Sequence, residues 1–396
     1  MLYLSVCILL VCLSIHYDIN EETKYKDFWY LFILAVFILI AGLRYRLGVD
    51  TLAYMNMYYH LIPDLWHLQD ADDSMYFEPF YYLLCSVVKS FGGRFYVVQL
   101  LHATFVCVLL FKYIKKHSRY VFACLFLFFI WTYTSYFMET MRASMAIVIC
   151  LFANDYMLER KWLKGVLLYL LAFGCHNSSI LLIVTPLFLF LRFNIWGLMA
   201  LMVTPIIGMI IQNQIEDYIL LMDLDGNVTD KAVGYLNNDR YMTNHNILYY
   251  LIDLGIYIYY SVISFLFIKY RKDASGLMKL QPFVVLGLVF VLLKDRTEIF
   301  YRFVDYYKIY FIFYFVELFI GYIKCSETYS KAVSALKMII VFIPLLYVVM
   351  MRYANNGYVR YYPYSSVIER SINQDREHEY KRIRTDISLL INRNEY

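Results

Sequence analysis

Arginines and carboxylates recur side by side wherever a long apolar run stops. Arg44, Arg46 and Asp50 follow one run in LRYRLGVDTLAY, and Glu78 precedes another in YFEPFYYLL. Glu139 and Arg142 open a third in FMETMRASMA. His176, Asn177, Ser178 and Ser179 interrupt LLAFGCHNSSILLI, and Asp295, Arg296, Glu298, Arg302 and Asp305 crowd KDRTEIFYRFVDYY. A guanidinium presents a planar fork of donors that fits phosphate or carboxylate. An imidazole is basic near neutral pH and can take a proton from a hydroxyl. The interspersed carboxylates argue against a general anion sink and offer bases and sugar-hydroxyl acceptors. Each residue also has an ordinary reading. Arginines at helix ends snorkel to headgroups. Glu139 and Arg142, three apart, share a helix face and can pair, and His176 with its serines can serve a helix–helix contact. Repetition tells against these readings taken one at a time. Four connectors place an Arg or His beside a carboxylate, and ionisable groups near a bilayer tend to mark substrate paths.

The elements that must position these residues are membrane helices. The chain has 396 residues, 61% hydrophobic and only 17% charged, well outside the usual composition of a soluble domain. Apolar runs recur along its whole length, continuous as in α-helices and not alternating as in a transmembrane barrel. The expected spans are 2–16, 28–43, 94–112, 120–138, 141–157, 163–175, 179–192, 195–211, 247–268, 281–293, 300–321 and 337–352. The fold class is therefore all-α, a polytopic transmembrane bundle of about 12 spans. Residues 1–352 form the membrane domain and 353–396 a polar C-terminal tail with room for one amphipathic helix. Residues 79–91, PFYYLLCSVVKSF, are too short to span comfortably and are read as interfacial or re-entrant. The first run lacks a basic n-region and a small-residue cleavage site, so it reads as a short helix and not a removed signal.

Loop charge orients the bundle. KYIKKHSR (112–119) holds four Lys/Arg and no acid, and the 159–164, 269–279 and 324–337 connectors are also basic. The positive-inside tendency puts all four in the cytoplasm. The two long connectors, 44–78 and 212–246, are acidic overall and face outward, as do 138–142, 175–179 and 294–302. This alternation requires that 79–91 not cross. Most of the 42 tyrosines suit the interfacial aromatic belt, with a minority left to line a polar cavity. The eight cysteines are scattered, mostly within apolar runs, and neither they nor the histidines show metal-ligand spacing. There is no glycine-rich phosphate loop. No metal, cofactor or nucleic-acid partner is expected.

In order and spacing, LRYRLGVDTLAY, YFEPFYYLL, MRASMAIVI, CHNSSILLI and YRFVDYY resemble the motifs of the EpsG family, Wzy-like polymerases of bacterial polysaccharide repeat units. The resemblance covers roughly residues 28–321, with an echo in YPYSS at 362–366. The family often has Gly-Thr-Asp where this chain has Gly48-Val49-Asp50, and Arg-Gln where it has Arg142-Ala143. It implies a membrane glycosyltransferase resembling the GT-C type. Lipid-linked repeat units would be joined into O-antigen, capsule or exopolysaccharide at the outer face of the bacterial inner membrane. Donor and acceptor would both be carried on undecaprenyl diphosphate, with a flippase and a chain-length regulator as partners.

For that chemistry, Arg302 and Arg142, then Arg44, Arg46 and Arg296, are the candidates to hold the diphosphate, whose negative charge develops as it leaves. His176 leads as base, with Asp50, Glu139 and Glu78 as rivals, and Asp50 could instead orient the histidine or bind sugar. Glu78, Tyr54, Ser178 and Tyr306 are candidates for sugar contacts. A lipid-linked glycan ligase or another polyprenyl-phosphate glycosyltransferase would use similar chemistry on a different acceptor. A flippase or other transporter fits less well, because no pair of Gly/Pro-broken helices occurs in matching halves. An O-acyltransferase would have less use for several arginines at one face.

Overall fold

The computed structural model describes residues 2–70, 78–192, 275–294, 298–325 and 358–383, with scattered positions between 194 and 207. It is all-α. Among the described residues the only strand-like pairing is an isolated bridge between Arg44 and Ser366. The chain divides into two compact units. The first holds Met1–Ala153, Leu163–Ile180 and Phe319–Tyr396, and the second Asn154–Trp162 and Leu181–Leu318. The connector 212–246, expected to face outward, and the expected spans 247–268 and 337–352 lie outside the described residues.

The helices in chain order are α1 (Leu2–Leu13), α2 (Lys26–Gly42), α3 (Val49–Asn56), α4 (Pro79–Ser90), α5 (Phe95–His117), α6 (Val121–Phe128), α7 (Met141–Leu158), α8 (Trp162–Cys175), α9 (Ser275–Lys294), α10 (Glu298–Cys325) and α11 (Gln374–Ile383). A 3-10 helix, Asn177–Phe188, follows α8. Three described segments are long and apolar enough to cross a membrane: Leu2–Ile19, Phe95–His117 and Met141–Leu158. Val121–Tyr133, Trp162–Cys175, Asn177–Phe188 and Lys279–Val291 are shorter apolar helices.

The core of the first unit is built where α2 meets α5 and α6. Phe37 of α2 is fully buried and packs edge-on against Phe111 of α5, with centroids 5.3 Å apart. Tyr133, beyond α6, also meets the Phe37 ring edge-on, with centroids 5.0 Å apart, and donates its hydroxyl to the Phe37 carbonyl at 2.7 Å. That bond satisfies the one polar atom of a large buried ring. At the end of α2, a Cβ on Gly42 would come within 2.9 Å of the Leu100 backbone. The missing side chain is what lets α2 and α5 close together next to Arg44. Outward-facing leucines and isoleucines such as Leu4, Ile8 and Leu31 are exposed, as expected of surfaces that lie against lipid.

The two ends of this bundle differ in chemistry. At one end Lys115 pairs with Asp27 at 2.7 Å, and buried Asp18 accepts the Ala123 amide at 2.8 Å in the first turn of α6. At the other end lie the Arg44–Asp50 connector, the junction of α6 with α7, and the end of α8.

Helix α4 covers residues 79–90 of the short apolar stretch. Twelve residues span about 18 Å, short of a hydrocarbon core of about 30 Å. Both ends of α4 bind to the connector that leads into it. Lys89 donates to the carbonyls of Tyr58 and Ile62 at 3.1 and 2.6 Å, and the Ser90 hydroxyl accepts the Leu65 amide at 2.8 Å. At its start, Tyr81 packs on Tyr54 with centroids 5.5 Å apart.

The C-terminal segment docks onto LRYRLGVD. Tyr45 donates its amide to Ser365 at 2.8 Å, Val367 to Leu43 at 2.8 Å, and Gly48 to Arg360 at 3.2 Å. Arg46 forms a two-pronged pair with Glu377 of α11 at 3.1 and 2.8 Å. Tyr380, buried against Val49 and Leu52, donates to the Arg46 carbonyl at 2.9 Å. Residues 358–383 therefore cover the end of the first unit that holds Arg44, Asp50 and Glu139.

The turn between Arg46 and α3 depends on Gly48, which sits at φ +88° with the Met138 carbonyl where a Cβ would be. Gly48→Ala is expected to destabilise by at least about 1–3 kcal/mol. Thermal unfolding of the detergent-purified protein checks this, and an unchanged midpoint contradicts it.

Candidate functional site

Three of the sequence-derived candidates meet at one carboxylate. Glu78 is the residue before α4, with Pro79 at the first helical position, where a fixed φ and a missing N–H suit the helix start. One Glu78 oxygen accepts from Arg142 in the first turn of α7, and the other contacts Nδ1 of His176 at the end of α8. The three residues come from three helix ends separated by 64 and 98 positions in sequence.

Local packing explains the meeting. A Cβ on Gly174 would run into the ring of Phe80. The bare glycine lets the first turn of α4 lie against the last turn of α8, which brings Glu78 to His176. The His176 amide still bonds to Ala172 at 2.9 Å, so the imidazole projects from a formed helix end.

Arg142 also lies over the ring of Tyr54, its guanidinium carbon 5.3 Å from the centroid. That cation–π contact fixes the orientation of the fork. The Arg142 side chain keeps 32% of its surface exposed, against 10% for Glu78 and 15% for His176. The cation thus has both a buried anchor and an open edge. Burial alone would raise the Glu78 carboxyl, but the His176 contact and the Arg142 charge outweigh it and hold the pKa below the ordinary carboxylate value.

Glu139 does something else. Thr140 leaves helical geometry at φ −115° and ψ 51°, so the helical turn Ser135–Glu139 that follows α6 ends before Arg142. The shared helix face expected from their spacing does not form, and Arg142 turns to Glu78. Glu139 accepts the amides of Val49 and Asp50 at 3.3 and 3.1 Å, at the start of α3. It also accepts the Tyr361 hydroxyl at 3.0 Å. A carboxylate there satisfies amides that a helix start leaves open. Burial, and then the charge of Asp50, raise the Glu139 pKa. Glu139 thus ties the connector, the α6–α7 junction and the C-terminal segment together, and Asp50 lies beside it in the first turn of α3.

The arginines divide. Arg44 is fully buried, and its guanidinium is held by the Ala41 carbonyl, the Thr51 hydroxyl at 3.4 Å and the Met141 sulfur at 3.2 Å. Burial lowers its pKa to about 10. Arg46 is taken up by Glu377. Neither meets Arg142, so the single arginine cluster expected from the sequence is not what the first unit contains. Ser178 is half-buried two residues beyond His176. Arg302 and Tyr306 belong to the second unit, on α10, where Tyr306 is buried and Asp305 pairs with Lys308. Arg296 lies outside the described residues. No group of His, Cys, Asp and Glu arranged to hold a metal occurs among the described residues.

The sequence offers Glu78 as a sugar contact or a rival base and gives no sign that it joins Arg142 to His176. The available signal was Glu-Pro at a helix start after a long connector, which marks a fixed carboxylate but names no partner. Tyr361 and Glu377 were missed because the tail carries ordinary polar composition.

The family model of the EpsG family matches residues 27–366. The chain belongs to the EpsG family. No curated protein and no solved structure matches it. The match begins at the start of α2 and ends at Ser366, the residue bridged to Arg44. The EpsG region therefore includes all three members of the Glu78 cluster and the part of the C-terminal segment that pairs with the Arg44 turn. Membership identifies a membrane protein of polysaccharide polymerisation.

Proposed function

We propose that this EpsG protein is a glycosyltransferase that joins lipid-linked oligosaccharide repeat units, with the Glu78–His176–Arg142 cluster as its reacting centre. The observation that carries the reading is the convergence on Glu78 of one imidazole and one partly open guanidinium from separate helix ends. The donor glycan is carried on undecaprenyl diphosphate, and the acceptor is a sugar hydroxyl of a second lipid-linked unit. The centre faces the exterior of the bacterial inner membrane, opposite the basic connectors.

The chemistry follows from the geometry. His176 gives its Nδ1 proton to the Glu78 hydrogen bond, which leaves the Nε2 lone pair for the acceptor hydroxyl. As the hydroxyl oxygen attacks the anomeric carbon, its proton passes to Nε2. The bond from the anomeric carbon to phosphate oxygen breaks, and undecaprenyl diphosphate leaves with the electron pair. Arg142 meets that growing charge from a site of low water content, where a fixed cation is most effective. Glu78 orients both groups.

His176→Ala, expressed at wild-type level in a strain lacking its own copy, is expected to leave single repeat units and no long glycan. A normal ladder of chain lengths would remove His176 from the mechanism. Polymer that forms but stays on its carrier would point instead to a ligase.

A further inference from the structure

Arg142 stands in the first turn of α7, so its aim depends on how that turn is held. The helical turn before it stops at Thr140, which leaves helical geometry at φ −115° and ψ 51°. The axis of α7 is therefore not a continuation of the turn before it. A threonine at a helix start commonly points its side chain into the turn it caps. Thr140 points back, its hydroxyl donating to the Ser135 carbonyl at 3.0 Å.

The first turn of α7 is gripped from another helix. His102 of α5 is fully buried, and its Nε2 lies 2.9 Å from both the Met141 carbonyl and the Ser144 hydroxyl. Ser144 donates that hydroxyl to the same Met141 carbonyl at 2.8 Å. Both atoms facing Nε2 are therefore acceptors, and this network assigns the imidazole proton to Nε2. Nδ1 is buried without a hydrogen-bond partner, as suits the bare nitrogen of a neutral ring. Phe137 meets the imidazole edge-on, with centroids 5.8 Å apart. Arg44 adds a second grip, its guanidinium nitrogen 3.2 Å from the Met141 sulfur. The peptide plane that carries the Met141 carbonyl also carries the amide and Cα of Arg142. A bond that fixes this plane fixes the point from which the Arg142 side chain departs.

We propose that His102 is a positioning residue of the transfer: it holds the 141–142 peptide and so aims the Arg142 guanidinium. This rests on the polymerase reading, in which Arg142 pairs with Glu78 and meets the departing diphosphate. A group with two such duties tolerates little movement, and a displacement of about 1 Å costs about 100-fold in rate. His102 is fully buried and acts through Arg142, without touching substrate.

The reach of the side chain is what the experiment varies. Glutamine puts its Nε2 as many bonds from the backbone as the imidazole Nε2 and can donate to the Met141 carbonyl. Asparagine is one bond shorter. Rates are measured on the full chain in phosphatidylcholine nanodiscs, with undecaprenyl diphosphate-linked repeat units extracted from the strain that lacks its own copy. His102→Asn is expected to lower kcat by about 10–100-fold with KM within about threefold, and His102→Gln to restore kcat to within about threefold of wild type. The pH profile of the rate keeps its shape in both, because His102 transfers no proton. In an Arg142→Ala background, His102→Asn should cost no more than about twofold, since the group it acts through is gone. If His102→Asn fails to accumulate in the membrane, Ser144→Ala takes its place in the same cycle, deleting only a hydroxyl. Hydrogen exchange over residues 140–147 reads the brace without turnover, and should rise in His102→Asn and not in His102→Gln. Wild-type rates in both variants, no recovery by glutamine, a changed pH profile, or a loss that multiplies fully with Arg142→Ala overturns the proposal. If exchange responds as expected while even the wild-type protein polymerises nothing, the brace stands and the polymerase reading falls.

Discussion

Glu78→Gln is expected to stop polymerisation almost completely, by on the order of 10³–10⁴-fold in rate. The substitution keeps shape and size and changes only what the two oxygens can do. Glu78 accepts from Arg142 with one oxygen and bonds His176 Nδ1 with the other. A glutamine has one acceptor oxygen and one donor nitrogen. If the oxygen keeps Arg142, the amide N–H faces Nδ1. The imidazole then carries its proton on Nε2 and can no longer accept one from the sugar. If the oxygen keeps His176, the arginine loses its anchor. Either arrangement disables one partner. The glycan ladder from a strain carrying only the variant, read beside protein level in the membrane, checks the result. Full-length ladders at normal expression would show that Glu78 is not the hub.

The same carboxylate sets an acid limit. Its folded pKa lies below the ordinary value, so its ion pairing stabilises the folded state above the unfolded pKa of about 4.3. That contribution is lost only as pH falls through the lower, folded value. A loss of activity between pH 5 and 7 would therefore come from another group, and Glu78→Gln should remove an acid-induced fall in thermal stability below about pH 4.

Arg142→Ala is expected to reduce turnover by about 10²–10³-fold, the usual consequence of removing one preorganised donor from a developing charge. Two roles must be separated. If Arg142 only braces Glu78, Arg142→Lys should recover most of the rate, because a point cation can still pair with a carboxylate. If it also meets the departing diphosphate, lysine lacks the planar fork and the ring-stacking geometry over Tyr54. In that case kcat stays low while KM changes little, the signature of an interaction made mainly in the transition state. Wild-type kinetics in Arg142→Lys would assign the residue to bracing alone.

Much of this protein is legible in one dimension. Continuous apolar runs with charged stops can only be helices in lipid, because backbone groups there must pair within their own segment. The residue types that carry the proposed chemistry also stand out, since Arg142 and His176 interrupt runs that are otherwise apolar. The order of the motifs is enough to place the chain in the EpsG family.

Pairing is a different matter. Spacing suggested Glu139 with Arg142, but Thr140 breaks the helix between them, and a break at one residue rotates everything after it. Glu78 replaces Glu139 because Gly174 makes room for Phe80, a contact across about 94 positions that no local pattern encodes. Arg44 and Arg46 resemble Arg142 in sequence, yet one is buried beneath Thr51 and Met141 and the other is claimed by Glu377 of the C-terminal segment. Composition and hydropathy determined that this is a helical membrane protein with cations and acids gathered at helix ends. Which cation meets which acid was decided only by the tertiary structure, because ion pairs and hydrogen bonds act over a few ångströms, and only packing brings helix ends that close.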